Sequence, residues 1–302
     1  MTDLAALVAR ELQRPVPADI AEIAAQLQQQ SSAAAVLFYG SSLRTASLDG
    51  VLDFYLLHDE PDAARRTPWA FLWPRVSYHE YAIGGRTIRA KVAAIRIGTF
   101  EAAASGDTLD TTIWARFAQP SRLLGAVSPD MARRIVDAIC SCARTAMRFA
   151  AALGPPSGSA EDYWLALFTH TYRAELRVEG RNRGQTILNG DPAYYRDTLR
   201  LAWRDLGLIG AVGELALLHP AINDNQRHHW RACWRRRTIA AKPLNILRLL
   251  RAAWTFDGAA RYALWKIERH SGIVIALTPW RERHPILAAP GVLFHLWRAG
   301  SR

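Results

Sequence analysis

The stretch of residues 36–58, with the sequence VLFYGSSLRTASLDGVLDFYLLH, constrains the fold of this chain more than any other. Two apolar runs in it predict neighbouring strands, and the turn between them begins with Gly40, Ser41 and Ser42. The second run contains Asp53, although Asp is depleted from strands and an unpaired buried charge is costly. The pattern therefore predicts that Asp53 meets either a metal ion or a basic side chain.

The turn after the first strand has the chemistry of a phosphate site. Gly40 lets the backbone approach a ligand closely, and the amides and hydroxyls that follow can surround a phosphate. A Gly-Ser turn followed by a carboxylate on the next strand is typical of nucleotidyltransferases, which hold a triphosphate and its Mg²⁺ in this way. The stretch also fits an ordinary hairpin or helix–turn–strand unit in which Asp53 pairs with an Arg. Asp49 is a weaker metal ligand, because an extended chain would separate it from Asp53 by ~13 Å.

The composition favours an intracellular protein that meets polyanions. The net charge of +11 and the pI of about 10.1 attract nucleic acid, nucleotides or an anionic bilayer. The three Cys lack metal-ligand spacing, and their odd number excludes a complete disulfide framework. No apolar run approaches the roughly 20 residues of a spanning helix, so we expect a soluble or peripheral protein.

Three further segments carry candidate site residues. The pair Gly84-Gly85 predicts a hairpin turn, and the strand that follows would lie beside Asp53, with Lys91 either near a triphosphate or in solvent. A predicted helix over residues 99–115 is followed by Arg116, which binds a phosphate or lies at the surface. Residues 172–179 alternate in polarity, which predicts a strand. Glu175 in that strand is either part of a charged outer face or a second metal carboxylate.

A basic region covers residues 225–256, where eight cations occur without any Asp or Glu. Cations and tryptophans on a helix suit an anionic membrane surface, at roughly 1 kcal/mol per cation, and suit nucleic acid almost as well. Tryptophans would not be needed on a merely solvated basic face. The predicted membrane contacts are Arg231, Trp234, Arg235, Arg236, Arg237 and Lys242.

Six short motifs occur in an order that resembles the mitochondrial translocator-maintenance type of phosphatidate cytidylyltransferase and its bacterial relatives. They span roughly residues 35–275 and comprise YGSS at 39–42, VLDF at 51–54, Lys91, WARFAQP at 114–120, YRAELR at 172–177 and KIERHSG at 266–272. This chain departs from the family pattern where Ser42 replaces a Gly, Gln119 replaces a Lys and Glu175 replaces an Asp.

The resemblance implies an α+β fold, with a polymerase-β-like nucleotidyltransferase domain and a mostly helical, winged-helix-like second domain. We place N-terminal helices at residues 1–30, the nucleotidyltransferase domain with a helical insert at 31–185, and the basic, membrane-contacting domain at 186–302. The implied reaction converts CTP and phosphatidate to CDP-diacylglycerol and pyrophosphate at the cytoplasmic face of the inner membrane.

Each candidate residue then receives a role in that reaction. Mg²⁺ would be bound by Asp53 and Glu175, with Lys91 as a further catalytic residue. The nucleotide phosphates would be held by Gly40, Ser41, Ser42, Arg116 and Arg177. Two alternatives stay open: a nucleotidyltransferase with another acceptor (a protein, a nucleic acid or a different phospholipid), and a non-catalytic basic module that binds nucleic acid.

Overall fold

The computed structural model describes residues 3–45, 47–59, 74–174, 183–209, 217–255, 258–283, 287–288 and 290–291. The strands are β1 (Ala35–Tyr39), β2 (Val51–His58), β3 (Arg75–Ile83), β4 (Arg86–Arg96) and β5 (Ser121–Ala126). The helices are α1 (Leu4–Leu12), α2 (Ala18–Ser31), α3 (Ser42–Thr45), α4 (Ile97–Ala104), α5 (Thr112–Phe117), α6 (Pro129–Leu153), α7 (Ala160–Ala174), α8 (Arg183–Leu188), α9 (Pro192–Asp205), α10 (Asp224–Thr255), α11 (Ala259–Ser271) and α12 (Pro279–Arg283).

The five strands form one mixed sheet in the order β3-β4-β2-β1-β5. β1 lies antiparallel to both β2 and β5, whereas β2 lies parallel to β4. β3 and β4 form the predicted hairpin, and Gly84 and Gly85 have the positive φ values, 55° and 73°, that a tight two-residue turn requires. The predicted α+β class and the strand beside Asp53 are therefore confirmed.

The alternation of side chains along the strands divides the core into two layers. Val36 and Phe38 of β1 face a smaller cluster that α2 covers, while Leu37 faces a larger one. The larger cluster is built from α1, α4, α5, α6, α7 and α9 and continues to Trp234 of α10. α6 begins with a side-chain cap: the Ser128 side chain accepts a hydrogen bond from the Met131 amide at 3.1 Å.

A buried ion pair fastens the N-terminal helices to the sheet. Arg122 of β5 donates to the Glu11 carboxylate of α1 at 2.6 Å, with 7% and 9% of their side chains exposed. Nη1 of the same guanidinium also donates to the backbone carbonyls of Glu11 and Ser121, so three acceptors surround this end of the buried charge. α1 and α2 thus pack against the core, and the N-terminal helices predicted within residues 1–30 are present.

Two predicted elements are wrong in detail. The helix expected over residues 99–115 is two helices, α4 and α5, with a break at residues 105–111. The strand expected over residues 172–179 is wrong for residues 172–174, which form the end of α7. These residues continue the helical pattern in which Phe168, Thr171 and Ala174 are buried, and that burial outweighs the local alternation. Glu175 and Arg177 lie outside the described residues.

Beyond residue 186, the regular elements that the structure describes are all helices. Trp203 of α9 is fully buried, with its ring 4.8 Å from that of Tyr163 of α7. The residues after the predicted boundary at 185/186 therefore add to the core of the preceding part. Among the described helices, none combines the length and apolar character needed to cross a bilayer. The domain boundaries and the winged-helix-like assignment stay predictions.

Candidate functional site

Four side chains occupy paired positions on neighbouring strands and share one face of the sheet. Asp53 of β2 pairs with Tyr39 of β1 and with Lys91 of β4, and Lys91 pairs in turn with Tyr78 of β3. Directly paired residues project to the same side of a sheet. We call this set the Asp53 row. Two residues further along β2 on that face, Tyr55 is fully buried, so the row lies at the margin of the large core.

The Asp53 carboxylate lies against the backbone of the turn that follows β1. Gly40 has a φ of +102°, and a Cβ atom placed there would come within 2.8 Å of Asp53 Oδ2. Only glycine combines this backbone conformation with such a close approach. After it, Ser41 is exposed and Ser42 is buried at the start of α3. The structure thus brings together Asp53, the Gly-Ser turn and Lys91, as the sequence predicts.

The donor set around Asp53 fits a metal ion that arrives with its own oxygen ligands. Within the part of the chain that the structure describes, no three His, Cys, Asp or Glu side chains form a metal-binding group. Mg²⁺ is commonly held by one or two carboxylates, with substrate phosphates and water completing its octahedron. Asp53, half-buried beside Gly40, meets that requirement as a single carboxylate.

Arg116 of α5 lies at the Tyr39 end of the row. Its Nη1 donates to the Tyr55 hydroxyl at 3.1 Å, and its guanidinium carbon lies 5.2 Å from the centre of the Tyr39 ring. Burial raises the pKa of Tyr55, while the Arg116 charge opposes that rise. At the start of α5, the Asp110 carboxylate accepts hydrogen bonds from the backbone amide and the hydroxyl of Thr112. Arg116 is therefore a partly buried cation that aromatic rings hold near the row.

Helix α11 covers the other end of the row, which the sequence does not reveal. Its cap, Gly258, has a φ of +78°, and a Cβ there would lie 2.8 Å from the Tyr78 carbonyl oxygen. One turn on, the ring of Tyr262 lies 5.4 Å from that of Tyr78. Burial raises the pKa of Tyr262, and the Asp53 carboxylate raises it further. At the far end, Arg269 Nη1 donates to the Asp49 carbonyl at 3.1 Å.

The same face of α11 presents cations around one aromatic ring. Two guanidinium groups lie near the ring of Trp265, with Arg89 of β4 at 5.2 Å and Arg269 at 5.3 Å from its centre. Lys266 Nζ lies 5.8 Å from the centre of the Tyr262 ring. In the sequence, Lys266 and Arg269 stand out only as part of the KIERHSG motif. The KIERHSG motif was therefore the sequence feature from which this helix could have been assigned to the site.

Comparisons with protein-family models and with curated proteins find no match to this chain. The likeness to the phosphatidate cytidylyltransferase family therefore rests on the short sequence motifs.

Two of the predicted membrane contacts on α10 are wrong, because their side chains are buried. Trp234 is 5% exposed and packs its ring against those of Phe149, at 5.4 Å, and Trp114, at 6.2 Å. Arg237 is 8% exposed, with its guanidinium 4.9 Å from the centre of the Phe149 ring, and donates to the Gly106 carbonyl. Burial lowers the pKa of Arg237. Both side chains bind α10 to the protein and are unavailable to a membrane.

The other predicted contacts are exposed, although Arg231 also has a structural role. Arg231 Nε donates at 2.8 Å to the carbonyl of Ala152 at the end of α6, a position where a cation is favourable. Further along, exposed cations alternate with Ile239 and Ile246, which are 76% and 52% exposed. We call this surface the α10 stripe; its members are Arg235, Arg236, Ile239, Lys242 and Ile246.

Proposed function

We propose that this protein is a Mg²⁺-dependent nucleotidyltransferase of the phosphatidate cytidylyltransferase type. The observation that carries the proposal is the Asp53 carboxylate, which touches the Gly40 turn and pairs in register with Lys91. An acid beside a cation at the margin of an apolar core suits a ligand that contains both positive and negative charge. A nucleoside triphosphate with its divalent cation is such a ligand.

The proposed reaction is the in-line attack of a phosphatidate phosphate oxygen on the α-phosphorus of CTP. A new P–O bond forms, the bond between the α-phosphorus and its bridging oxygen breaks, and pyrophosphate leaves with the electron pair. Chemistry of this kind depends on positioning and charge neutralisation. Mg²⁺, bound with CTP, neutralises phosphate charge during the transfer. Asp53 would orient that ion, with Glu175 as the proposed second carboxylate.

The remaining residues of the site would bind and hold the triphosphate. The Gly40 turn offers backbone amides and the hydroxyls of Ser41 and Ser42 to phosphate oxygens. Lys91 is the neighbour of Asp53 in the row on one side, and Arg116 lies near Tyr39 on the other. Both cations would neutralise the pyrophosphate as it leaves. Arg177 has the same proposed role.

The α10 stripe supports an acceptor that lies in a membrane. Exposed isoleucines between cations suit the boundary between headgroups and acyl chains, where apolar side chains insert and cations meet anionic lipids. Single-stranded nucleic acid is commonly held by exposed aromatic rings on which bases stack. In α10, however, Trp234 is buried and Trp230 packs against the core. This arrangement favours a lipid surface over nucleic acid.

The decisive experiment measures pyrophosphate release from CTP in the presence of Mg²⁺ and phosphatidate vesicles. We expect release by the wild-type protein and none by Asp53→Asn, which keeps the size of the side chain but removes its charge. Asp197→Asn is the matched control, because this carboxylate is exposed on α9 and pairs with Arg196. Equal unfolding midpoints would show that the variants are folded. Full activity of Asp53→Asn would contradict the proposed metal site.

A nucleotidyltransferase with another acceptor is the second candidate, and an acceptor screen separates the two. Labelled CTP, ATP, GTP and UTP would each be offered with phosphatidate, other phospholipids, protein and nucleic acid. We expect label only in the lipid product formed from CTP. If label is transferred to protein or nucleic acid, the proposed acceptor is wrong, while the proposed role of Asp53 as the metal ligand still stands.

A further inference from the structure

Helix α11 is attached to the sheet at both ends, so its inner face has a defined position over the Asp53 row. At its start, the close contact between Gly258 and the Tyr78 backbone leaves no room for a side chain. At its end, Arg269 reaches the carbonyl of Asp49 in the turn before β2, 220 residues away in the sequence. Between these points Tyr262 lies beside Tyr78 and close enough to Asp53 for the carboxylate to affect its pKa.

The inner face of α11 also carries positive charge. Lys266 and Arg269 are both exposed. The hydrogen bond from Arg269 goes to a neutral backbone oxygen. Arg89, which also lies near the Trp265 ring, is already compensated by Glu80 at 3.5 Å. Two exposed cations thus lie next to a row that contains a further cation, Lys91.

We propose that Lys266 and Arg269 form a subsite for the terminal phosphates of the nucleoside triphosphate, and hence for the pyrophosphate that leaves. This inference rests on the proposed function and extends it to residues outside the nucleotidyltransferase part of the chain. Asp53 and the Gly40 turn would hold the reacting end of the triphosphate. Arg269 lies about 10 Å further along the helix axis than Tyr262, at ~1.5 Å per residue, and so approaches the distal phosphates. The guanidinium is suited to this role because its donors match phosphate oxygens in pairs.

Trp265 is a positioning residue in this subsite. Its ring lies within reach of two guanidinium groups and attracts both through cation–π interaction, at roughly 0.5–1 kcal/mol each for exposed groups. The indole therefore restricts Arg269 to orientations near the Asp49 turn, which reduces the entropy lost when a phosphate binds. It does not need to touch the ligand to have this effect.

The test measures the binding of inorganic pyrophosphate and of CMP to the full chain by calorimetry in the presence of Mg²⁺. We expect Lys266→Gln and Arg269→Gln each to weaken pyrophosphate binding roughly tenfold or more, the usual effect of losing a hydrogen bond to a charged group. CMP binding should be unchanged, because CMP lacks the terminal phosphates. Arg261→Gln is the matched control, since Arg261 belongs to the same helix but pairs with Glu282 of α12 at 2.7 Å.

Trp265→Leu tests positioning separately from charge. This variant keeps every cation, so we expect the KM for CTP to rise several-fold with little change in kcat, and Trp265→Phe to restore most of the loss. An unchanged KM for Trp265→Leu would overturn the positioning role.

The outcomes separate this inference from the proposed function. If the wild type binds pyrophosphate, the two Gln variants do not, and no transfer to any acceptor occurs, the subsite stands while the reaction is wrong. If the wild type is active but both variants bind pyrophosphate normally, the subsite is wrong while the reaction stands. Absence of pyrophosphate binding by the wild type would overturn the subsite directly.

Discussion

Replacing Gly40 by alanine tests the central contact of the site with a single methyl group. The new Cβ would lie 2.8 Å from Asp53 Oδ2, well inside van der Waals contact. The carboxylate would have to move by roughly 0.7 Å to restore an ordinary distance of about 3.5 Å. Displacements of about 1 Å in a catalytic constellation lower rates by up to roughly a hundredfold. We therefore expect Gly40→Ala to reduce kcat by about tenfold or more.

The same substitution also affects stability, and a second glycine separates the two effects. A non-glycine residue at a φ of +102° is strained by about 1–3 kcal/mol. Gly85→Ala has a comparable backbone penalty, about 1–2 kcal/mol, because its φ is +73°, but its new methyl group would meet no atom within 4 Å. Both variants should unfold at lower urea concentration, whereas only Gly40→Ala should lose activity.

The assay pairs urea unfolding, followed by circular dichroism, with initial rates of pyrophosphate release at saturating CTP. Rates would be compared at a temperature where both variants are fully folded. If Gly40→Ala and Gly85→Ala keep equal activity, the Asp53 carboxylate does not need its position against the turn. The assignment of Asp53 as the metal ligand would then be refuted.

Further predictions concern the core and helix α10. Arg122→Met removes the buried partner of Glu11 and leaves it only the more exposed Arg14, so the free energy of unfolding should fall by up to about 3–5 kcal/mol in urea titrations. Trp234→Ala should lower it by about 3–5 kcal/mol because the ring is buried, whereas Ile239→Ala should change it by less than about 0.5 kcal/mol. Burial lowers the pKa of His170, with a further lowering by nearby arginines, so the unfolded chain binds more protons between that lowered value and about 6.5. Stability should therefore decrease as the pH falls through this window, and unfolding midpoints of His170→Gln should show a flatter profile.

Vesicle flotation tests the α10 stripe. Arg235→Glu combined with Arg236→Glu should weaken binding to anionic vesicles, and added salt should weaken binding of the wild type. Arg196→Glu with Arg204→Glu, on the exposed side of α9, changes the net charge equally and should retain binding. Equal loss in both double variants would show that net charge alone, and not the stripe, attracts the protein to lipid.

The row around Asp53 was predictable from the sequence because its parts are close along the chain. The Gly40 turn joins adjacent strands, and the hairpin at Gly84-Gly85 leads directly into the strand that carries Lys91. An acid in an apolar strand is also a conspicuous local conflict, and such conflicts commonly mark functional sites.

The position of α11 could not be predicted, because a helical pattern reveals a face but not the surface that it meets. Arg269 and Asp49 are brought together only by the complete fold. For the same reason, the sequence led to wrong membrane contacts on α10, where Trp234 and Arg237 are buried. Tryptophan and isoleucine occur on different sides of this helix, and only its packing against α6 and α7 decides that Trp234 is buried while Ile239 is exposed.

The way in which α10 is built into the core affects how this protein should be dissected. A chain that ends before Asp224 would leave the rings of Trp114 and Phe149 without Trp234, and would leave Asp110, 3% exposed, without its Arg248 partner. Deletion mapping would therefore report collapse of the remaining protein rather than removal of a lipid-binding appendage. Substitutions confined to solvent-facing positions are the sound way to assign roles to this half of the molecule.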